Sequence, residues 1–167
     1  MSKRRKINLV PMIKNQIVLA PNPILSRRTK PLTEDNYIKI TNKFVKRGMK
    51  HRKGAIGIAA NQIHMPYRIF IAQLTQGVWK VFINPTIPQT SKSKFFNSKL
   101  IVDVEGCLSL PDSVHSVARK EQVEVVYRDI NWEPQIGQYK GLAARIVQHE
   151  IDHLNGILID KNMDERL

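Results

Sequence analysis

Near the end of the chain, His149-Glu150-Ile151-Asp152-His153 sets two imidazoles four positions apart, with a glutamate directly after the first. On a helix that spacing turns both histidines to one side, as two ligands of one metal ion require, and keeps a carboxylate within reach for proton transfer. Any fold for this chain must keep the stretch helical and bring a further ligand to it. The flanks favour the helix. Gly141 opens a stretch from Leu142 to Leu154, and Asn155-Gly156 supplies the residue types that most often end one. Leu142, Ile146, His149, Glu150 and His153 fall on overlapping turns of one face, in line with the stripe expected to be buried. The alternative is a pair of core histidines held by ordinary hydrogen bonds. A buried polar group without a partner costs about 1–3 kcal/mol, so the complete pattern favours a metal and, with it, a metal-dependent hydrolase.

Cys107 is the chain's only cysteine, which excludes an internal disulfide and suits a reducing compartment. It lies in Glu105-Gly106-Cys107-Leu108-Ser109-Leu110-Pro111, after the alternating stretch Ile101-Val102-Asp103-Val104, where a strand is expected to end in a turn assisted by Gly106. A thiolate there can complete a Cys/His/His ligand set and leave a fourth position for water.

At 167 residues the chain has room for one core, and we expect a single catalytic domain over 1–167 with a basic N-terminal extension at about 1–16. No apolar run is long enough for a membrane-spanning helix, and the basic start is followed by Pro11, Lys14 and Asn15 rather than a secretion signal. A cytoplasmic monomer is expected, with an organelle matrix as the alternative location. The net charge of +13 is uneven: residues 1–53 hold 15 Lys/Arg against Glu34 and Asp35, and residues 54–167 hold 12 of each sign. Lys3 to Lys6, with Lys43, Lys46, Arg47, Lys50, Arg52 and Lys53, form either a surface facing RNA or a solvated basic face. No aromatic interleaving makes this charge a reader of nucleic-acid sequence.

Pro21-Asn22-Pro23 and Pro31 mark turns ahead of an amphipathic helix within Asp35 to Met49, carried by Tyr37, Ile40, Phe44 and Val45. Arg68 to Leu74, Val78 to Pro85 and Val123 to Arg128 read as strands, Ser91 to Lys94 as a loop tip, and Asn131 to Gly141 as a polar hairpin return. The sum is an α+β fold of mostly antiparallel strands packed around the histidine helix. Ala55-Ile56-Gly57-Ile58-Ala59-Ala60-Asn61-Gln62 supplies small residues followed by an amide. It suits either close approach of an extended substrate, with Gln62 donating an N–H, or a helix start packed through Ala59 and Ala60.

Together, Ala55 to Gln62, Glu105 to Ser109 and Gln148 to His153 resemble the three ordered motifs of peptide deformylases, a likeness running from near Pro21 to about Ile159. The resemblance implies the deformylase fold and release of formate from the N-terminal formylmethionine of nascent polypeptides. It implies Cys107, His149 and His153 as ligands of one divalent metal ion per chain. Glu150 becomes the acid/base residue, with the Gln62 amide and the Leu108 N–H as oxyanion donors. Ile56 and Gly57 would border and pair with the substrate backbone. Leu142 and Ile146 would line the methionine pocket, although simple packing of the helix remains open for both. Arg119 and Asp152 would form an ion pair that steadies the helix. Ferrous iron is the physiological metal the family implies, with zinc, nickel or cobalt in purified protein; a Cys/His/His set binds several of these.

Ala55 stands where the first motif usually has glycine, and Asp112 follows Pro111 where many relatives have glycine or another residue. The sequence runs 14 residues past His153, which resembles shortened family members without the long C-terminal helix and shifts any expected ribosome contact to the basic N-terminal region. A general metalloprotease would leave the Glu-Gly-Cys segment unexplained. A non-catalytic metal-containing RNA- or ribosome-binding module would need neither Glu150 nor Gln62, and a cysteine nucleophile would need no second histidine.

Overall fold

The computed structural model describes residues 16–88, 95 and 97–160, so Lys3 to Lys6 and the Ser91 to Lys94 loop tip lie outside the described residues. Two α-helices, α1 (Tyr37–Gly48) and α2 (Leu142–Leu154), accompany seven strands: β1 (Gly57–Ala59), β2 (Ile69–Thr75), β3 (Val78–Thr86), β4 (Leu100–Cys107), β5 (Leu110–Lys120), β6 (Gln122–Arg128) and β7 (Pro134–Lys140). Five of them form an antiparallel sheet in the order β1-β2-β3-β6-β7, and β4 and β5 form a separate antiparallel pair. Among the described residues no helix is long and apolar enough to cross a membrane.

The alternation of β2 explains the layering. Phe70 and Ala72 join Phe82, Val125, Ala144, Val147, Ile151 and Leu154 in one apolar cluster beneath α2. Ile69 and Ile71, the intervening residues, join Ile40, Phe44, Ile58 and Ile83 in a second cluster beneath α1. The sheet is thus buried on both faces at β2, which accounts for the continuous apolar run Ile69-Phe70-Ile71-Ala72.

The helix that carries the histidines is bounded as its sequence signals. Gly141 has φ 59° and ψ −129°, a conformation that an L side chain resists, and its carbonyl accepts the Arg145 N–H at 3.0 Å. At the other end Gly156 has φ 77° and donates to His153 O (3.1 Å), while Ile157 N donates to Asp152 O (2.9 Å), completing a Schellman cap. A side chain on Gly156 would lie 2.7 Å from the Ser26 carbonyl carbon, so the first section of the chain packs directly on this cap.

Three features depart from the sequence reading. β5 is the longest strand, yet the sequence shows it poorly: Pro111 sits near its start, and its outward residues mix the apolar Val114 with Asp112 and Ser116. Proline is admitted because a two-stranded pair leaves each strand with a free edge. Asn131 to Gly141 contains a true strand, β7, at the margin of the large sheet, with every second residue partly covered. Gly106 also lacks the turn role expected of it. It lies inside β4 opposite Val114, and Leu108-Ser109 make the connection to β5.

Candidate active site

Three segments meet at a cavity of about 440 Å³ lined by, among others, Ile56, Gly57, Gln62, Cys107, Leu108, Leu142, Ile146, His149 and Glu150. From α2, four-residue spacing brings the His149 and His153 rings to a centroid separation of 4.8 Å in a T-shaped arrangement. Cys107, the last residue of β4, places Sγ 3.3 Å from His153 Nε2. One ligand atom from each of the three residues lies within 4.8 Å of the other two. Ligands about 2.0–2.3 Å from a tetrahedral ion sit roughly 3.3–3.8 Å from one another, so a divalent cation fits the cluster with little adjustment.

His149 is oriented from behind. Its Nδ1 lies 2.9 Å from Glu105 Oε2, which leaves Nε2 for a metal. Glu105 is 7% exposed and also accepts from Arg119 Nε and Nη2, each at 2.9 Å, and from Arg145 Nη1 at 2.7 Å. Burial alone would raise the Glu105 carboxyl, but the Arg119 and His149 hydrogen bonds and charges hold it far below the usual carboxylate range. Arg119 also pairs with Asp152 on α2, the ion pair expected from the resemblance. Burial works against a proton on His149, yet its bonds to Cys107 and Glu105 and the charges of Glu150 and Cys107 push it up to about 10. The anionic surroundings that favour this proton equally favour a cation. Burial, with the charges of His149 and Arg119, drives His153 well below the ordinary imidazole range and so keeps it neutral, as a ligand must be.

Glu150 is 3% exposed, and its Oε2 has no hydrogen-bond partner. Burial pushes its carboxyl up to about 7, against the lowering charges of His149 and Arg119. A poised, uncommitted carboxyl beside three potential ligands is what a proton shuttle near neutral pH needs. Gly57 makes this placement possible, because a Cβ there would overlap the Glu150 carboxylate. The adjoining β1 is an edge strand paired only with β2, so its other edge is open to an extended peptide. The two readings of Ala55 to Gln62 are both partly realised: an edge strand comes first, then a 3-10 turn over Ala60–Ile63.

Gln62 is 2% exposed and its amide is oriented by its bonds. Oε1 accepts the Ala59 N–H at 2.9 Å, and Nε2 donates to Ser109 Oγ at 3.2 Å and to Cys107 Sγ at 3.7 Å. The long sulfur contact leaves an N–H that an oxyanion can take over. Leu108 lines the same cavity directly after Cys107. Ile146 is buried, whereas Leu142 is 66% exposed, so the expected buried stripe stops one turn short and Leu142 stands at the rim. Ile56, 50% exposed, lines the same cavity.

Three contributors were not singled out from sequence. Glu105 orients His149. Arg145 ties α2 to β4 and β5 through Glu105, Ile101 O (2.8 Å) and Val117 O (3.0 Å). Asn61 donates to His153 O at 2.6 Å. Arg145 had a usable signal, since it precedes His149 by one helical turn and shares its face.

Comparison with known proteins agrees with this geometry. The sequence pattern described as polypeptide deformylase matches residues 14–166. A peptide deformylase of Chlorobium phaeobacteroides is 36% identical over 147 residues, covering 86% of this chain and 77% of that protein. The crystal structure of peptide deformylase from Thermotoga maritima superposes with a TM-score of 0.76 at 30% identity, covering 87% of this chain and 95% of that one. The enzyme of the Vibrio parahaemolyticus bacteriophage VP16T, solved with actinonin, gives 0.73 at 29% identity, covering 86% and 99%. The chain belongs to the polypeptide deformylase family.

Proposed function

We propose that Cys107, His149 and His153 hold one divalent ion, and that Glu150, Gln62 and the Leu108 N–H work around it to remove the formyl group from N-terminal formylmethionine. The family assigns the chain as a metal-dependent hydrolase acting on formylated nascent peptides; the residue roles are our reading. Its main support is the buried Glu150 carboxyl, with one oxygen uncommitted, beside the Cys/His/His cluster. A divalent cation there supplies a Lewis acid that acidifies water and polarises the formyl carbonyl. Glu150 takes the water proton as the formyl carbon is attacked, then returns it to the departing amine nitrogen. Gln62 Nε2 and the Leu108 N–H stabilise the developing oxyanion, each such donor contributing about 3–4 kcal/mol. The free edge of β1 at Gly57, with Ile56 directly before it, aligns the peptide backbone, and Ile146 and Leu142 receive the methionine side chain.

Ferrous iron is the proposed physiological ion, with zinc, nickel or cobalt compatible with the same donors. The proposed setting is a cytoplasmic monomer that meets the ribosome through its basic N-terminal region. Arg47 must be left out of any test of that surface, because its guanidinium donates to Ile63 O and so ties α1 to the 3-10 turn. Replacing the exposed Lys43, Lys46 and Lys50 instead should lower ribosome co-sedimentation at low salt and leave short-peptide hydrolysis intact. For the reaction itself, the iron- or nickel-loaded protein prepared without oxygen should release formate from a formyl-Met tripeptide and leave an acetyl-Met tripeptide untouched. No release by a folded, fully metal-loaded sample would overturn the assignment.

A further inference from the structure

A second cavity, about 410 Å³, opens beside another face of α2, the one carrying Gln148, Asp152 and Asn155. Four cationic side chains contribute to its wall, Arg28, Arg68, Arg119 and Lys120, against the single carboxylate of Asp152. Arg119 and Asp152 pair with each other, and Arg119 is further paired with Glu105. Arg28 and Arg68 have no carboxylate partner among the described residues.

Arg68 is the unusual member. It is 7% exposed, yet its acceptors are all neutral: Pro85 O at 3.0 and 2.8 Å, Asn155 Oδ1 at 2.9 Å and Leu154 O at 3.4 Å. These bonds account for four of its five N–H groups. A buried cation is costly unless an opposite charge compensates it. The C-terminus of α2 offers roughly half a negative charge, which Arg28 more than offsets. Burial and the neighbouring Arg28 charge both hold Arg68 below its ordinary pKa, the response of like charges crowded at one wall.

The geometry points to a phosphate-binding site in this cavity, with Arg28 and Arg68 as its paired guanidinium contacts and Lys120 beside them. A tetrahedral dianion offers several oxygens, to the Arg28 guanidinium fork and to the one uncommitted Arg68 N–H, and would supply the missing counter-charge. The volume exceeds that of a bare phosphate, so a phosphate ester fits, whether a monoester or the backbone of a polynucleotide. None of these three residues takes part in the chemistry proposed above.

The test is calorimetric titration of the metal-loaded full chain with inorganic phosphate at constant ionic strength. Phosphate can also meet an active-site cation, so variants at the exposed Arg28 decide the location. Arg28→Gln should weaken phosphate binding about tenfold and Arg28→Glu should abolish the saturable component, while Lys39→Gln, an exposed control on α1, changes nothing. Formyl-peptide hydrolysis should match the parent in all three, which verifies the fold and separates this result from the deformylase assignment. Competition with a ten-nucleotide oligouridylate distinguishes the sources. Arg28-dependent displacement of phosphate identifies a polynucleotide backbone, and its absence with phosphate still bound identifies a free phosphate or monoester. Isotherms identical in the parent and Arg28→Gln for both ligands, or no saturable binding of either, would overturn the site.

Discussion

The two sheets are held together by different physics. In the five-stranded sheet, Ile69, Phe70 and Ile71 of β2 are at most 1% exposed and meet apolar clusters on both sides. In the β4–β5 pair, Val102, Val104 and Val114 are 65%, 59% and 71% exposed, and the buried residues include the ionised Glu105 and Arg119. Charge-assisted hydrogen bonds of Arg119 to Asp152 and of Arg145 to Glu105, with two neutral bonds between the Gln148 amide and the Lys120 backbone, fasten that pair to α2. The candidate metal site spans this boundary. His149 and His153 ride on the helix anchored in the large core, and Cys107 rides on the polar-fastened hairpin. Stability and ligand geometry should therefore respond to different substitutions.

The largest effect is expected in the core. Phe82 stacks on Phe70 at 4.4 Å and packs against Tyr127 at 4.6 Å, so Phe82→Ala should cost about 3–5 kcal/mol in urea unfolding followed by circular dichroism. Metal binding and structure should be lost in the same transition. Arg145→Met should separate the two properties. Losing the charge-assisted bond to Glu105 and the two carbonyl bonds should cost about 1.5–3 kcal/mol, while metal affinity falls about 10–100-fold because Glu105 no longer fixes His149 and the hairpin as firmly. Competition with a chelator measures that affinity. Parent-like affinity in Arg145→Met would break the comparison. Ala55→Gly should do least: Ala55 lines the cavity mouth ahead of β1, so stability should change by less than about 1 kcal/mol, and kcat/KM should stay level or rise. A large fall in kcat/KM would make the Ala55 methyl part of the substrate fit.

The same contrast governs what was legible in the sequence. The helix of His149 and His153 was readable because period, glycine start and Asn-Gly end are local signals, and β2 because its apolar run is continuous. Cys107 was readable as a candidate ligand, and the fold does bring it to His149 and His153, although the turn after it is made by Leu108-Ser109 without help from Gly106. β5 escaped because its burial rests on Val117 and Arg119, which follow no simple apolar alternation. The Glu105 clamp escaped for a related reason: its donors, Arg119 and Arg145, lie 14 and 40 residues away. The approach of Gly57 to Glu150 joins an edge strand to a distant helix, and only the assembled fold reveals why a side chain is excluded there.

Most direct for the proposed site is the pairing of metal analysis with formate release in Glu150→Gln. That change nearly preserves shape and removes the titrating oxygen of a group that shares the cavity with, but stands apart from, the Cys107, His149 and His153 cluster. The parent's metal content of one ion per chain should be retained, with kcat on a formyl-Met tripeptide lowered about 10²–10⁴-fold. Turnover equal to the parent at full metal content would contradict the proton route through Glu150.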